Sequence, residues 1–287
     1  MNQIKLLIEL TRLEKPIGFM LLFWPCAWGT TIAYNFSEDK IDYIQFLLLF
    51  LAGAILMRSA GCIINDIADR KFDKKVSRTK NRPIASGKIS VTQGLIYSSF
   101  LCLIALGVLL QFNYLTIILA LISMPLAFTY PFMKRFTYWP QLFLGVTFNY
   151  GLLLGWTAVT NEINLTPLIL YIGAVFWTLG YDTIYGFQDI KDDEIIGLKS
   201  TSIKFKSNPL IFLSISYSIL IISLIIIGIL FEFKLIYYVF LIFIGFQLYY
   251  YQIYKLDIKK TKSCLLVFKS NNFLGLLIFM ALLLGKI

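Results

Sequence analysis

Apolar residues in this chain of 287 come in long runs, and the short stretches between the runs hold most of its Lys, Arg, Asp and Glu. A run of about 17 to 25 apolar residues has the length of a helix that crosses a bilayer. Nine such runs occur, over residues 16–34, 42–65, 92–111, 114–131, 140–159, 165–187, 209–230, 234–254 and 267–285. Only Phe112 and Asn113 part the third run from the fourth, which carries Pro125 and reaches Pro131; proline is tolerated in a spanning helix when neighbours satisfy the freed backbone. The pattern predicts an all-α, polytopic membrane protein of nine transmembrane helices in a single domain, residues 1–287. It also echoes itself. Displaced by 116 residues, Asp66, Asp69 and Asp73 fall on Asp182, Tyr185 and Asp189, at the ends of the second and sixth runs. We read two pseudo-repeats, 16–131 and 140–254, and a final helix 267–285, with two acid-bearing helix ends facing one another on the same side.

Composition agrees and narrows the partners. The chain is 58% hydrophobic and 15% charged, against roughly 25% charged in a soluble domain. Its net charge of +10 would suit nucleic acid, but the basic residues sit in short loops between the runs, where membrane topology accounts for them. The partner surface is therefore the lipid bilayer and no nucleic acid is expected. With the N-terminus cytoplasmic, 21 of the 26 Lys and Arg fall on the cytoplasmic side, as the positive-inside rule requires. The first fifteen residues lack the charged, apolar and cleavage regions of a signal peptide and mix Glu9 and Glu14 with Lys5, Arg12 and Lys15, unlike a transit peptide. A bacterial inner (cytoplasmic) membrane is the expected location. Cys26, Cys62, Cys102 and Cys264 are far apart, and histidine is absent, which leaves carboxylates, Tyr, Lys and Arg to do any chemistry.

The carboxylates cluster. Asp66, Asp69 and Asp73, at i, i+3 and i+7, share one face of a helix. One Asp at the centre of a lipid-facing helix costs roughly 2.5 to 3.5 kcal/mol on insertion scales, so three together do not face lipid. The bland reading has them just beyond the hydrocarbon, solvated or paired with Lys74, Arg78 and Lys80. A second set, Asp182, Asp189 and Asp193, projects within about 20° of one line if the helix continues. Two carboxylate clusters without imidazole or thiolate select a hard cation, Mg²⁺, shared with phosphate oxygens. The segment Ser77-Arg78-Thr79-Lys80-Asn81-Arg82-Pro83 and the later Lys134 supply phosphate donors, with Arg82 favoured because Pro83 stiffens the backbone beside it. Tyr185, one turn from both Asp182 and Asp189, suits a phosphate or a metal-bound water, and equally an interfacial position.

Asn65-Asp66-x-x-Asp69-x-x-x-Asp73 and Asp189-x-x-x-Asp193 resemble the two signature motifs of the UbiA superfamily of intramembrane aromatic prenyltransferases. Lys15-Pro16-Ile17-Gly18, Arg78 to Pro83, Tyr130-Pro131-Phe132-Met133-Lys134-Arg135 and Gly197-Leu198-Lys199-Ser200-Thr201 extend the likeness over residues 12 to 205. Arg58-Ser59-Ala60-Gly61-Cys62 and Tyr181-Asp182-Thr183 are most similar to the branch that prenylates 4-hydroxybenzoate in ubiquinone synthesis. One departure is Lys191, where close relatives often carry an acid; the i, i+4 pair Asp189 and Asp193 is intact.

The resemblance implies nine helices around a central cavity, with a polyprenyl diphosphate and Mg²⁺ at its cytoplasmic mouth. Asp66, Asp69 and Asp73 would hold one Mg²⁺ and Asp189 with Asp193 a second, while Arg82 and Lys134, with Asn65, Tyr130 and Tyr185 nearby, bind substrate. Ionisation of the C1–oxygen bond would leave an allylic cation for attack by the ring carbon ortho to the phenol of 4-hydroxybenzoate or a similar aromatic acid. Asp182 and Asp189 both qualify as the base that removes the ring proton. Arg58, about 10 Å deeper than Asn65 on the same face, is read as the acceptor's carboxylate ligand, against a purely structural pairing with a buried carbonyl or acid. A secondary transporter or cation pathway is the rival from another class; its site would lie near the bilayer midplane, whereas these clusters lie at one end beside a basic loop. Another acceptor within the same superfamily is the nearer rival, and a lipid-headgroup transferase would need Gly where Arg70 follows Asp69.

Overall fold

The structure is a computed structural model that describes residues 3–37, 40–76 and 79–287; Ser77 and Arg78 of the basic segment lie outside the described residues. Among those described there is no strand. The helices are α1 (Gln3–Thr11), α2 (Ile17–Ala33), α3 (Lys40–Asp73), α4 (Val91–Leu109), α5 (Tyr114–Thr129), α6 (Pro140–Asn149), α7 (Gly151–Thr160), α8 (Thr166–Gly186), α9 (Ile190–Ile196), α10 (Thr201–Lys204), α11 (Pro209–Leu230), α12 (Leu235–Gly245) and α13 (Thr261–Lys286). A 3₁₀ turn, Tyr130–Arg135, extends α5, and a π-helical stretch, Phe246–Tyr254, extends α12. Only Tyr150 parts α6 from α7, and together they make one span. Among the described residues eight helices have the length and apolarity to cross a bilayer, and α2, with 17 residues, is a ninth just at the lower length limit. The chain is a multi-pass membrane protein with the expected division of spans.

Local chemistry sets the boundaries. Ser90 and Gln93 form a reciprocal capping box that starts α4. Asn113 starts α5 by accepting from Thr116 N, and its amide donates to Thr157 O at 2.7 Å and Ala158 O at 3.1 Å. The tight connection between the third and fourth spans is thus tied to the end of the fifth. Asn161, at φ 52, and Gly197, at φ 80, end α7 and α9 in the left-handed region.

The helices pack around α2, which lies against α7, α3 and α13, while α8 lies against α11 and α6. Close approach depends on glycine. A Cβ on Gly29 would come to 2.0 Å from Leu152 O, and one on Gly155 to 2.3 Å from Cys26 O; small residues at such crossings are how spanning helices gain contact without a hydrophobic driving force. A buried polar network joins the last three spans to α8. Asn271 Oδ1 accepts from Trp177 Nε1 at 2.7 Å and Gln252 Nε2 at 3.0 Å, and Tyr217 donates to Gln252 at 2.7 Å. By contrast α4 packs on α3 with most of its surface exposed, and α5 is exposed likewise.

The bundle has two ends. Lys286 Nζ donates to Thr31 O and Ile32 O, and Lys234 N to Gly285 O, which gathers residues 31–32, 234 and 285–286 at one end. Arg135 Nη2 donates to Ala68 O and Lys199 N to Lys134 O, which gathers the acid-bearing ends of α3 and α8 with the basic loops at the other.

Candidate active site

The acid-bearing end encloses a cavity of about 300 Å³ lined by Asn65, Asp69, Asp73, Asp182, Asp189 and Asp193, with Tyr130 and Tyr185. Arg12, Arg58, Arg82, Lys134 and Lys199 supply its positive charge. Asp66, nearly fully buried, does not line the cavity itself but pairs with Arg12 and Arg82, which do.

The first acidic set stands as expected. The second span runs on as α3 without interruption to Asp73, so Asp66, Asp69 and Asp73 share one face of a rigid helix of about 51 Å at 1.5 Å per residue. The second set reaches the cavity by another route. α8 stops at Gly186 and a turn follows, so Asp182, Asp189 and Asp193 do not project along one continuous helix. Asp189 occupies the N-cap position of α9, and Asp193 N donates to Asp189 O at 2.9 Å. The break corrects the single-line alignment, and the turn itself points both residues into the chamber beside Asp182.

Of the cations in the bland reading, Lys74 and Lys80 do not meet the acids among the described residues, and Arg78 lies outside the described residues. Arg12 Nη2 lies 2.5 Å from Asp66 Oδ1, and Arg82 Nη1 lies 3.1 Å from the same oxygen and 2.9 Å from Asp73 Oδ2. Lys134 pairs with Asp69, and Arg135 lies 3.8 Å from Asp69 Oδ1. Arg82 and Lys134 were expected here; Arg12 was not, although it stands three residues before Lys15-Pro16-Ile17-Gly18. In this arrangement no group of three or more carboxylates comes together to hold a metal among the described residues. Asp66, Asp69 and Asp73 are therefore not a preassembled metal cluster: each faces a guanidinium or an ammonium. The donor set still suits a hard divalent cation, because every candidate ligand is oxygen and Asp69 Oδ1 is buried with no hydrogen-bond partner among the described residues.

Arg58 marks the floor of this chamber. Its guanidinium carbon lies 5.5 Å over the Phe148 ring, and its buried Nε has no hydrogen-bond partner among the described residues. Gly18 makes the space, since a Cβ there would lie 2.9 Å from that nitrogen. Tyr130 meets Phe148 edge to face at 6.4 Å, and Tyr185 packs on Phe268 at 4.5 Å. Arg58, Tyr130 and Phe148 also line a second, apolar cavity of about 670 Å³. This one extends between α3, α4 and α5 past Ala54, Cys102 and Met124 to Phe50 and Phe112. The three shared residues form a neck between a charged chamber and an apolar one, an arrangement that suits an amphiphile with an anionic head and a hydrocarbon tail.

Comparison with known proteins agrees with this geometry. The model of the UbiA prenyltransferase family matches residues 22–283. A mitochondrial 4-hydroxybenzoate polyprenyltransferase of Rattus norvegicus is 46% identical over 281 residues, 98% of this chain and 74% of that protein. 4-Hydroxybenzoate geranyltransferase 1 of Lithospermum erythrorhizon is 44% identical over 282 residues, 97% of this chain and 90% of that protein. In fold, the chain matches a UbiA homologue from Aeropyrum pernix K1 with a TM-score of 0.73 at 22% identity, over 93% and 96% of the two chains. It matches one from Archaeoglobus fulgidus, solved with GPP and Mg²⁺, with a TM-score of 0.61 at 17% identity, over 95% and 99%. A helical bundle of nine spans among the described residues, a charged chamber that shares a wall with an apolar one, and a family match over residues 22–283 lead to one conclusion: the chain belongs to the UbiA prenyltransferase family.

Proposed function

We propose that this chain transfers a polyprenyl group from polyprenyl diphosphate to the ring carbon ortho to the hydroxyl of 4-hydroxybenzoate, a step of ubiquinone biosynthesis. The observation that carries the reading is the neck at Arg58, Tyr130 and Phe148, where the charged and apolar cavities meet. The diphosphate belongs in the charged chamber and the polyprenyl chain in the apolar one, which leaves C1 of the chain at the neck. The names of the relatives from Rattus norvegicus and Lithospermum erythrorhizon support the acceptor, and the Mg²⁺ and GPP of the Archaeoglobus fulgidus homologue support the metal and the diphosphate.

In this reading Asp66, Asp69, Asp73, Asp189 and Asp193 hold Mg²⁺, which when bound supplies Lewis-acid neutralisation of the leaving diphosphate. Arg82 and Lys134 grip diphosphate oxygens at the rim, with Asn65 and Tyr185 completing the contacts. The C1–oxygen bond breaks with its electron pair going to the diphosphate, and Tyr130, which lines both cavities, offers a ring whose quadrupole attracts the allylic cation. Arg58 binds the acceptor's carboxylate and so turns the ortho carbon toward C1. As the new carbon–carbon bond closes, Asp182, next to Arg58 in the cavity wall, takes the ring proton and restores aromaticity.

We place the chain in a bacterial inner membrane with the N-terminus and the charged chamber on the cytoplasmic side, supported by the 21 basic residues at that end. The test is purified protein in lipid with a labelled polyprenyl diphosphate and a panel of aromatic acids. Turnover is expected with 4-hydroxybenzoate, lost with EDTA and restored by Mg²⁺; no turnover of that acid would refute the acceptor. Asp69→Asn should lose about 10²-fold or more in kcat, since several kcal/mol of charge stabilisation go with it.

A further inference from the structure

The proposed mechanism leaves Arg12 without a task, although its guanidinium sits directly on a site carboxylate. We propose that Arg12 is a diphosphate-binding residue parked on Asp66, and that its transfer from Asp66 to the diphosphate couples metal binding to substrate binding. The inference rests on the proposed function and deepens it.

Asp66 carries the argument. Its Oδ1 receives both Arg12, at 2.5 Å, and Arg82, at 3.1 Å, and the residue is 2% exposed. With Oδ1 accepting from two guanidinium groups, Asp66 keeps only Oδ2 for a metal ion, and the two positive charges beside it repel that ion. Asp73 is engaged by the same Arg82 nitrogen. For Asp66 to become a strong ligand at least one of these cations must move away, and an incoming anion that receives it favours that move.

Arg12 is built to make that move. α1 packs its Leu10 and Leu6 against Ile63 and Ile67 of α3, next to Asp66. The helix ends at Thr11, and Arg12 follows at φ 56, a left-handed conformation unusual for Arg. Lys15 N donates to Arg12 O at 2.9 Å and turns the chain into α2. The backbone is thus fixed on both sides while the side chain, 23% exposed, lines the chamber. A diphosphate in the chamber presents several charged oxygens where Asp66 presents one carboxylate, so the forked guanidinium gains by turning to it. Asp66 is then released to the cation that accompanies the diphosphate. Coupling of this kind is reciprocal: metal tightens diphosphate and diphosphate tightens metal by the same factor.

Arg12→Asn tests this, because Asn accepts the left-handed backbone and keeps α1 in place. Binding of Mn²⁺ alone, of inorganic pyrophosphate alone and of the two together is measured by calorimetry on full-length protein in lipid nanodiscs, with thermal unfolding as a check on folding. Wild type should bind Mn²⁺ at least about ten-fold more tightly when pyrophosphate is present. Arg12→Asn should bind Mn²⁺ alone several-fold more tightly than wild type, bind pyrophosphate about ten-fold more weakly, since a charged hydrogen bond is lost, and show a smaller coupling factor; Arg12→Lys should restore part of it. Unchanged Mn²⁺ affinity in Arg12→Asn, or a fall in both affinities, overturns the exchange. If wild type binds no pyrophosphate with Mn²⁺, the proposed function falls with it; if wild type binds and Arg12→Asn behaves identically, only the role of Arg12 falls.

Discussion

At the scale of single residues the first acidic set is paired with cations, and the unmet chemical need lies elsewhere in the chamber. Arg58 shows this most directly, since its Nε is buried without a hydrogen-bond partner among the described residues while its plane is held by Phe148. A charged hydrogen bond contributes about 1.5 to 3 kcal/mol, so Arg58→Ala should raise the KM for 4-hydroxybenzoate by roughly 10- to 100-fold and leave that for the polyprenyl diphosphate nearly unchanged. Steady-state kinetics with each substrate varied in turn measures the split, and an unchanged acceptor KM would remove the assignment. Gly18 offers a gentler version. A methyl there would press on Arg58 Nε at 2.9 Å, the end of a movable side chain, so Gly18→Ala should shift acceptor KM in the same direction by less, with no loss of thermal stability. Arg12 lies at the other extreme of cost, since a non-glycine residue in a sparsely populated backbone region stores about 1 to 3 kcal/mol, and here the strain aims a guanidinium at Asp66.

At the scale of elements, two helices that read alike in sequence behave differently. α3 continues through its acids, which gives Asp66, Asp69 and Asp73 fixed mutual positions, whereas α8 breaks after Gly186 and passes its acids to a turn and the short α9. At the break the packing is close: a Cβ on Gly186 would meet Ser202 Oγ at 2.3 Å, so the helix end is pressed against α10. Glycine governs the crossing of α2 and α7 as well. Gly155→Val would drive side-chain atoms into Cys26 O and Thr30 N, backbone atoms that cannot rotate away. We expect a loss at or above the upper end of the roughly 1 to 3 kcal/mol typical of overpacking, read as a lowered unfolding transition in detergent. In the last spans, Asn271→Leu would strand Trp177 Nε1 and one donor of Gln252. Each buried unpaired group costs about 1 to 3 kcal/mol, and stability should fall, read as a lowered unfolding transition in detergent.

At the scale of the whole molecule, the cavity sits at one end of the bundle, beside the loops that carry most of its basic residues, and this end is expected to face the cytoplasm. In a background without native cysteines, Lys88→Cys and Lys259→Cys should react with an impermeant thiol reagent added from the cytoplasmic side, and Glu162→Cys from the opposite side; the reverse pattern would invert the orientation. What the sequence alone determined is the spans and the face shared by the first acids, whereas the same periodicity misjudged the second acidic set, where α8 breaks. The span 209–230 coincides with α11, and the fourth span begins at Tyr114 as expected, because bilayer thickness and a rise of about 1.5 Å per residue leave little latitude. The shared face of Asp66, Asp69 and Asp73 follows from the helical repeat in the same way. Only the tertiary structure decided which charges meet. Many basic residues occupy loops at the charged end, and no local rule selects Arg12 for Asp66 across 54 positions or Lys134 for Asp69 across 65. Packing makes that choice, because an ion pair depends on where two backbones are held, and long-range placement of the backbone is not written in any one stretch of sequence.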